Sequence, residues 1–195
     1  MDISSGREAV RLARQAIELW IKERKRPAAG RLTPEFSRKS GVFTTINTYP
    51  GRSLRGCIGY PLPVYPLKEA IVRSAIEATR DPRFPDLQKE ELDKIVIEVS
   101  VMTEPRTIKD SPENYGRHIT IGKHGLVARK GMFSGLLLPQ VAKEYSLNVE
   151  QFLEQTCIKA GLPPDSWKQK ETEMLAFESE VFREEKPRGE IVREI

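Results

Sequence analysis

Val42-Phe43-Thr44-Thr45-Ile46-Asn47, the turn Tyr49-Pro50-Gly51, and the returning run Arg52-Ser53-Leu54-Arg55-Gly56-Cys57-Ile58-Gly59-Tyr60 form the stretch on which the fold turns. The first run is short, rich in β-formers and bounded by glycine and turn residues, so it reads as a strand. Pro50-Gly51 reverses the chain, and residues 52–60 return beside it as a hairpin. Pro66 then opens a helix at the position that tolerates a missing amide. Leu67, Ala70, Ile71, Ala75 and Ala78 make its apolar stripe, to about Arg80. Ile95 to Met102 alternates, with Ile95, Ile97, Val99 and Val101 on one face and Glu98 and Ser100 on the other. Hairpins next to helices, without strict βα alternation, predict an α+β fold of mainly antiparallel sheets flanked by helices.

Upstream, Ser5-Gly6-Arg7-Glu8 has the form of a capping box. Ala9, Leu12, Ala13, Ala16, Ile17 and Trp20 recur at helical spacing, so a first amphipathic helix is expected to about Ile21. Its cationic end runs from Lys22 to Arg26, Pro27 stops it, and residues 28 to 41 read as a loop. Between the second helix and the third strand, Asp81-Pro82-Arg83-Phe84-Pro85-Asp86 is a stiff segment that either presents Arg83 or anchors itself through Phe84. Lys89 to Asp93 is expected as a short helix.

Downstream, Thr103 to Gly116 reads as a connecting loop and as a boundary between lobes 1–103 and 117–182. Strands are expected at His118 to Ile121, Gly125 to Lys130 and Phe133 to Leu138. Pro139 opens a helix, Asn148 caps the next, and Gly161 ends it in a left-handed conformation. Met174 to Phe182 reads as the last strand, and residues 183–195 as a charged, extended surface tail. The two halves share a β-β-α-α-β pattern that suggests an internal duplication.

The chain has 195 residues, 38% hydrophobic and 31% charged, which is a globular balance and long enough to bury a core. No apolar run approaches the roughly 20 residues of a membrane helix, and no secretory signal is visible. Two cysteines cannot build a disulfide framework, so a reducing cytosolic setting is expected. The net charge of +4 is spread along the chain, with its densest basic run at Lys22 to Arg31. Without a patch of interleaved aromatics, nucleic-acid binding ranks last among the readings.

Cys57 is the sharpest candidate for chemistry. A thiolate is a strong nucleophile once its pKa falls, and Arg55 supplies positive charge nearby. The backbone amides of Ile58 and Gly59 could meet an oxyanion, and His124 is a candidate base. Arg55 and Arg83 would hold a carboxylate or phosphate. The competing reading is an unreactive cysteine, with Gly56 and Gly59 serving close backbone contact. Cys157, on the inner face of its helix, reads as core. Metal-ligand spacing, a P-loop, a dinucleotide fingerprint and a nucleophile elbow are absent from the sequence, and no cofactor is indicated.

Leu54-Arg55-Gly56-Cys57-Ile58-Gly59 resembles the six-residue signature of the AMMECR family, named for a chromosomal region linked to Alport syndrome, midface hypoplasia and elliptocytosis. Asp81-Pro82-Arg83-Phe84-Pro85, Ile97 to Val101, His124-Gly125-Leu126, Ser134 to Ala142 and Phe152 to Leu162 also look like family segments, so the resemblance covers about Ala9 to Phe182. It looks like the prokaryotic, especially archaeal, members. The resemblance implies a two-lobed α+β fold and a functional cleft around the signature, in a family without an established activity. It also implies association with Memo-family proteins and radical S-adenosylmethionine enzymes, hence a small-molecule or nucleobase modification system.

Two functional readings follow. In one, the cleft around Arg55 to Gly59 binds a small anionic ligand or an acyl-type substrate, with Cys57 and His124 as the reacting pair. In the other, the chain is a non-catalytic partner or regulatory module for a neighbouring enzyme.

Overall fold

The computed structural model describes residues 1–27 and 33–194. The loop expected over residues 28–41 and the basic run from Lys22 to Arg31 lie partly outside the described residues. The chain divides into two units, Met1–Met102 with Glu180–Ile195, and Thr103–Ser179. The fold is mixed α+β with antiparallel sheet flanked by helices, as the hairpin pattern predicts.

In the first unit, helix α1 (Ile3–Glu23) begins two residues before the predicted capping box. The Asp2 side chain accepts from the Ser5 amide at 2.7 Å, so the aspartate is the cap and Ser5 is buried in the first turn. Strands β1 (Gly41–Thr48) and β2 (Leu54–Tyr60) form the predicted hairpin, and helix α2 (Leu67–Ala78) follows Pro66. Strand β3 (Ile95–Met102) pairs antiparallel with β1 over the whole of that strand, which leaves β2 on the edge. Val42, Thr44 and Ile46 of β1 face the same way as Ile97 and Val99 of β3, against Ala13 and Ile17 of α1 and Ile71 and Ala75 of α2. A buried 2.8 Å hydrogen bond between Thr44 and Ser74 joins β1 to α2, so the one polar residue in that row is satisfied.

The second unit opens with a two-residue strand, β4 (Arg106–Thr107), inside the expected loop. Strands β5 (His124–Lys130) and β6 (Phe133–Leu137) form a hairpin, helices α3 (Pro139–Glu144) and α4 (Val149–Lys159) follow, and β7 (Glu173–Glu184) pairs antiparallel with β5 and β4. Asn148 caps α4 through the Gln151 amide at 2.9 Å, and Gly161 takes φ +77° after its end, both as predicted. Cys157 is buried beside Phe152, Leu126 and Trp167 in this unit's core.

Two local expectations are corrected. His118 to Ile121 is not a strand: a 3-10 turn over Pro112–Arg117 runs into it. Asp110 bonds the side chains of Asn114 and His118, and the His124 ring takes the Thr120 amide, so that amide is spent on a local turn. Residues 183–195 are not a surface tail. Strand β7 continues to Glu184, and β8 (Ile191–Glu194) pairs with its end, burying Ile191 in the first unit's core.

The suspected repetition has a counterpart in topology. Each unit contains a hairpin, then a helix, then a strand that returns antiparallel to the hairpin's first strand. Among the described residues, no helix is long and apolar enough to cross a membrane.

Candidate functional site

Alternation along β2 sorts the signature residues between two faces. Gly56 and Ile58 face the helices. A Cβ on Gly56 would stand 2.2 Å from the carbonyl oxygen of Ala78 at the end of α2, so glycine there is demanded by a backbone approach. Cys57 and Gly59 face the other way, while Arg55 falls at a register shift between β1 and β2, where Asn47 pairs with Leu54 and Ile46 with Gly56. In register, Thr45 of β1 lies opposite Cys57 on one side and opposite Glu98 of β3 on the other. The sheet's second face thus carries a row Cys57, Thr45, Glu98.

The Cys57 thiol is half-buried and accepts a 3.4 Å hydrogen bond from the Thr45 hydroxyl. Burial pushes its pKa above the ordinary value. The Thr45 bond and Arg83 work against that shift, while Glu98 and Asp81 add to it. This is the opposite of the direction that an activated thiolate requires. Glu98 is also displaced: burial pushes its carboxyl up to about 7, Glu194 adds to the shift, and Arg183 and Arg52 oppose it.

The stiff segment after α2 is a clip on the edge strand. Asp81 is buried and accepts the Cys57 amide at 2.8 Å. Arg83 donates to the same carboxylate through Nε at 3.0 Å and Nη2 at 2.7 Å, and Nη2 reaches the Cys57 carbonyl at 3.3 Å. The Arg83 guanidinium holds the Asp81 carboxyl well below the usual carboxylate range. The exposed edge of β2 is therefore closed at Cys57 by side chains rather than by another strand. The Arg83 side chain is 57% exposed, and among the described residues its Nη1 group has no protein acceptor.

The Cys57 amide and carbonyl both point outward, to Asp81 and Arg83. Ile58, one residue on, turns its amide inward to β1, and Gly59 turns outward again. Of the two amides expected to meet an oxyanion, only that of Gly59 lies on the Cys57 side. Arg55 is also engaged, since it donates to Glu91 through Nε at 2.7 Å and Nη2 at 3.1 Å.

His124 opens β5 in the second unit. Its Nδ1 accepts from the Thr120 amide at 2.9 Å, and its Nε2 lies 3.6 Å from Glu178. The hydrogen-bond partner of the Cys57 thiol, in the first unit, is Thr45, and that of the His124 ring, in the second, is Thr120. Among the described residues, no group of three or more His, Cys, Asp or Glu is placed to hold a metal ion.

Sequence reasoning missed Thr45, Asp81 and Glu98. The strand alternation already set Glu98 off the core face, but nothing in one strand's pattern tells which residue of another lies opposite. Asp81 carried a weaker signal, a carboxylate directly before Pro82 in the stiff segment.

The comparisons with known proteins agree with this architecture. The family model described as AMMECR1 matches residues 10–182. Protein PH0010 of Pyrococcus horikoshii is 50% identical over 193 residues, 96% of this chain and 94% of that protein. A protein of Aquifex aeolicus is 50% identical over 198 residues, 99% of this chain and 98% of its own. The crystal structure of PH0010, described as uncharacterized, superposes with a TM-score of 0.86 at 47% identity, covering 100% of this chain and 98% of that one. The chain belongs to the AMMECR1 family.

Proposed function

We propose that the edge around Arg55, Cys57 and Gly59 binds a small polar or anionic ligand with Cys57 as a neutral thiol, and that the chain is a non-catalytic module that holds this ligand for a partner enzyme. One observation carries the reading. Burial raises the Cys57 pKa while the two nearby arginines are committed to Glu91 and Asp81. A site built to ionise a thiol would leave a cation free to stabilise it. The groups left to meet a ligand are the Arg83 Nη1 donors and the outward Gly59 amide, with the Thr45 oxygen, whose proton goes to Cys57, as an acceptor. A Memo-type or radical S-adenosylmethionine protein is the partner class that such a module would serve.

The test is the rate of Cys57 alkylation against pH, with Cys157→Ala removing the background. The expected midpoint lies above the ordinary value of about 8.5. A midpoint below about 7.5 would sink the neutral-thiol reading and restore the nucleophile.

A second reading has its own observation, the Glu98 carboxyl at about 7. A group poised near neutrality can exchange protons with a bound substrate, as cysteine-dependent small-molecule or nucleobase chemistry would need. The two readings part on Cys57→Ser in a system reconstituted with the partner. A module keeps the system's turnover, and an enzyme loses it.

A further inference from the structure

We infer that the second unit carries a separate binding site for a small organic anion, a phosphate or carboxylate on an apolar body, in the cleft that holds both of the chain's histidines. It shares no residue with the Arg55–Gly59 edge and stands whether or not that reading holds. The cleft has a volume of about 850 Å³, in the range of small-molecule sites and far larger than a bare anion needs.

Strand β7 forms the floor. Arg106 of β4 lies opposite Ala176 on one side of it, and His124 of β5 lies opposite Glu178 on the other. Alternation puts all four on one face, with the β4 and β5 backbones two strand spacings apart, about 10 Å. Side chains reaching inward from that separation can meet one phosphate-sized group. Lys109 and His118 enter from the segment that follows β4.

The charges lean positive by one: Arg106 and Lys109, with Lys123 beside Glu178, stand against Glu178 and Glu104. Among the described residues, Arg106 and Lys109 have no ion-pair partner, although both line the cleft. The cleft's carboxylates are Glu178 and Glu104. Glu178 is matched by Lys123 at 3.2 Å, and His118 is held by Asp110 at 2.9 Å. The Thr120 amide can only donate, so the neutral His124 ring accepts at Nδ1 and carries its proton on Nε2, as a donor. Ile108 and Ala176 supply an apolar wall. A guanidinium, an ammonium and an imidazole N–H beside that wall suit an anionic head on a non-polar body better than an inorganic ion.

The experiment follows the imidazole proton signals of the intact chain, which has only two histidines. Phenyl phosphate, benzoate and inorganic phosphate are titrated in turn. Saturable shifts of both histidines are expected, with a midpoint below about 1 mM for phenyl phosphate or benzoate, the tighter of the two naming the head group. Inorganic phosphate should bind about tenfold more weakly. Arg106→Gln combined with Lys109→Gln should weaken binding about tenfold or more, against no change for Lys170→Gln, which does not line the cleft. Unchanged imidazole signals in the ligand-free double variant show that it is folded. No saturable shift up to about 10 mM, equal affinity for inorganic phosphate, or undiminished binding by the double variant would each overturn the site.

Discussion

Glu98 is a residue whose charge the fold works against. Its carboxyl rises from an ordinary 4.5 to about 7 through burial and Glu194, with Arg183 and Arg52 only partly offsetting, and Cys57 is coupled to it along the row. The sign follows from the raised value. The contribution of neutral Glu98 is fully present below about pH 4.5 and is lost as pH rises through 7. Glu98→Gln removes the ionisation. The variant should match the parent near pH 4.5 and exceed it by on the order of 2 kcal/mol at pH 8, read from urea unfolding at the two pH values. The same stability difference at both would mean that Glu98 ionises without penalty. Asp81, in the same unit, is displaced the other way because Arg83 and the Cys57 amide hold its charged form. Two carboxyls with opposite shifts lie near one thiol, and neither was legible as such. A side chain's environment is set by partners across strands and loops, which one chain segment does not reveal.

At the scale of elements, the sequence was more open. The alternation of β3, the hairpin around Pro50-Gly51, the Asn148 cap and the Gly161 exit could be read because each depends on local spacing and turn chemistry. Elements failed to be read where a side chain competes for a backbone group, as His124 does at the Thr120 amide within His118 to Ile121. The signature's glycines carried an element-level message that only the structure resolves. Gly56 admits the end of α2, and Gly135 on β6 admits the end of α4, where a Cβ would stand 2.2 Å from the Ala160 amide nitrogen. The same device recurs at corresponding places in the two hairpin-helix-strand patterns. Gly56→Ala and Gly135→Ala should therefore each cost about 2 kcal/mol or more, because the obstructing atoms are backbone and a helix end must shift. Gly116→Ala, with nothing within 4 Å of the added carbon, should stay within roughly 0.5 kcal/mol of the parent. Equal effects at all three positions would show that the close approach is not what those glycines serve.

For the molecule as a whole, the least legible feature was the return of the last 16 residues to the first unit. Residues 183–195 are rich in Glu and Arg, which reads as a solvated tail. Yet Glu184 is buried, and it is the hub of a tie among α1, β3 and β7. Arg14 of α1 donates to Glu184 through Nε at 3.0 Å and through Nη2, and also to the Leu92 and Ile95 carbonyls at 3.0 and 2.9 Å. The Ile97 amide of β3 donates to Glu184 at 3.0 Å. A sequence shows charges but not their pairing, so a buried ion pair 170 residues apart leaves no local trace. Removing one partner strands a buried guanidinium. Glu184→Ala should thus cost about 3–5 kcal/mol in urea unfolding. Replacing both ends, Arg14→Met with Glu184→Leu, should recover most of that loss, because the desolvated charges go together and only the Ile97 amide and two carbonyls lose a partner. A double variant as unstable as Glu184→Ala would assign the loss to those backbone groups rather than to the stranded charge. A nearly neutral Glu184→Ala would mean that Arg14 finds water, and that the first unit does not depend on the returning strand for its closure.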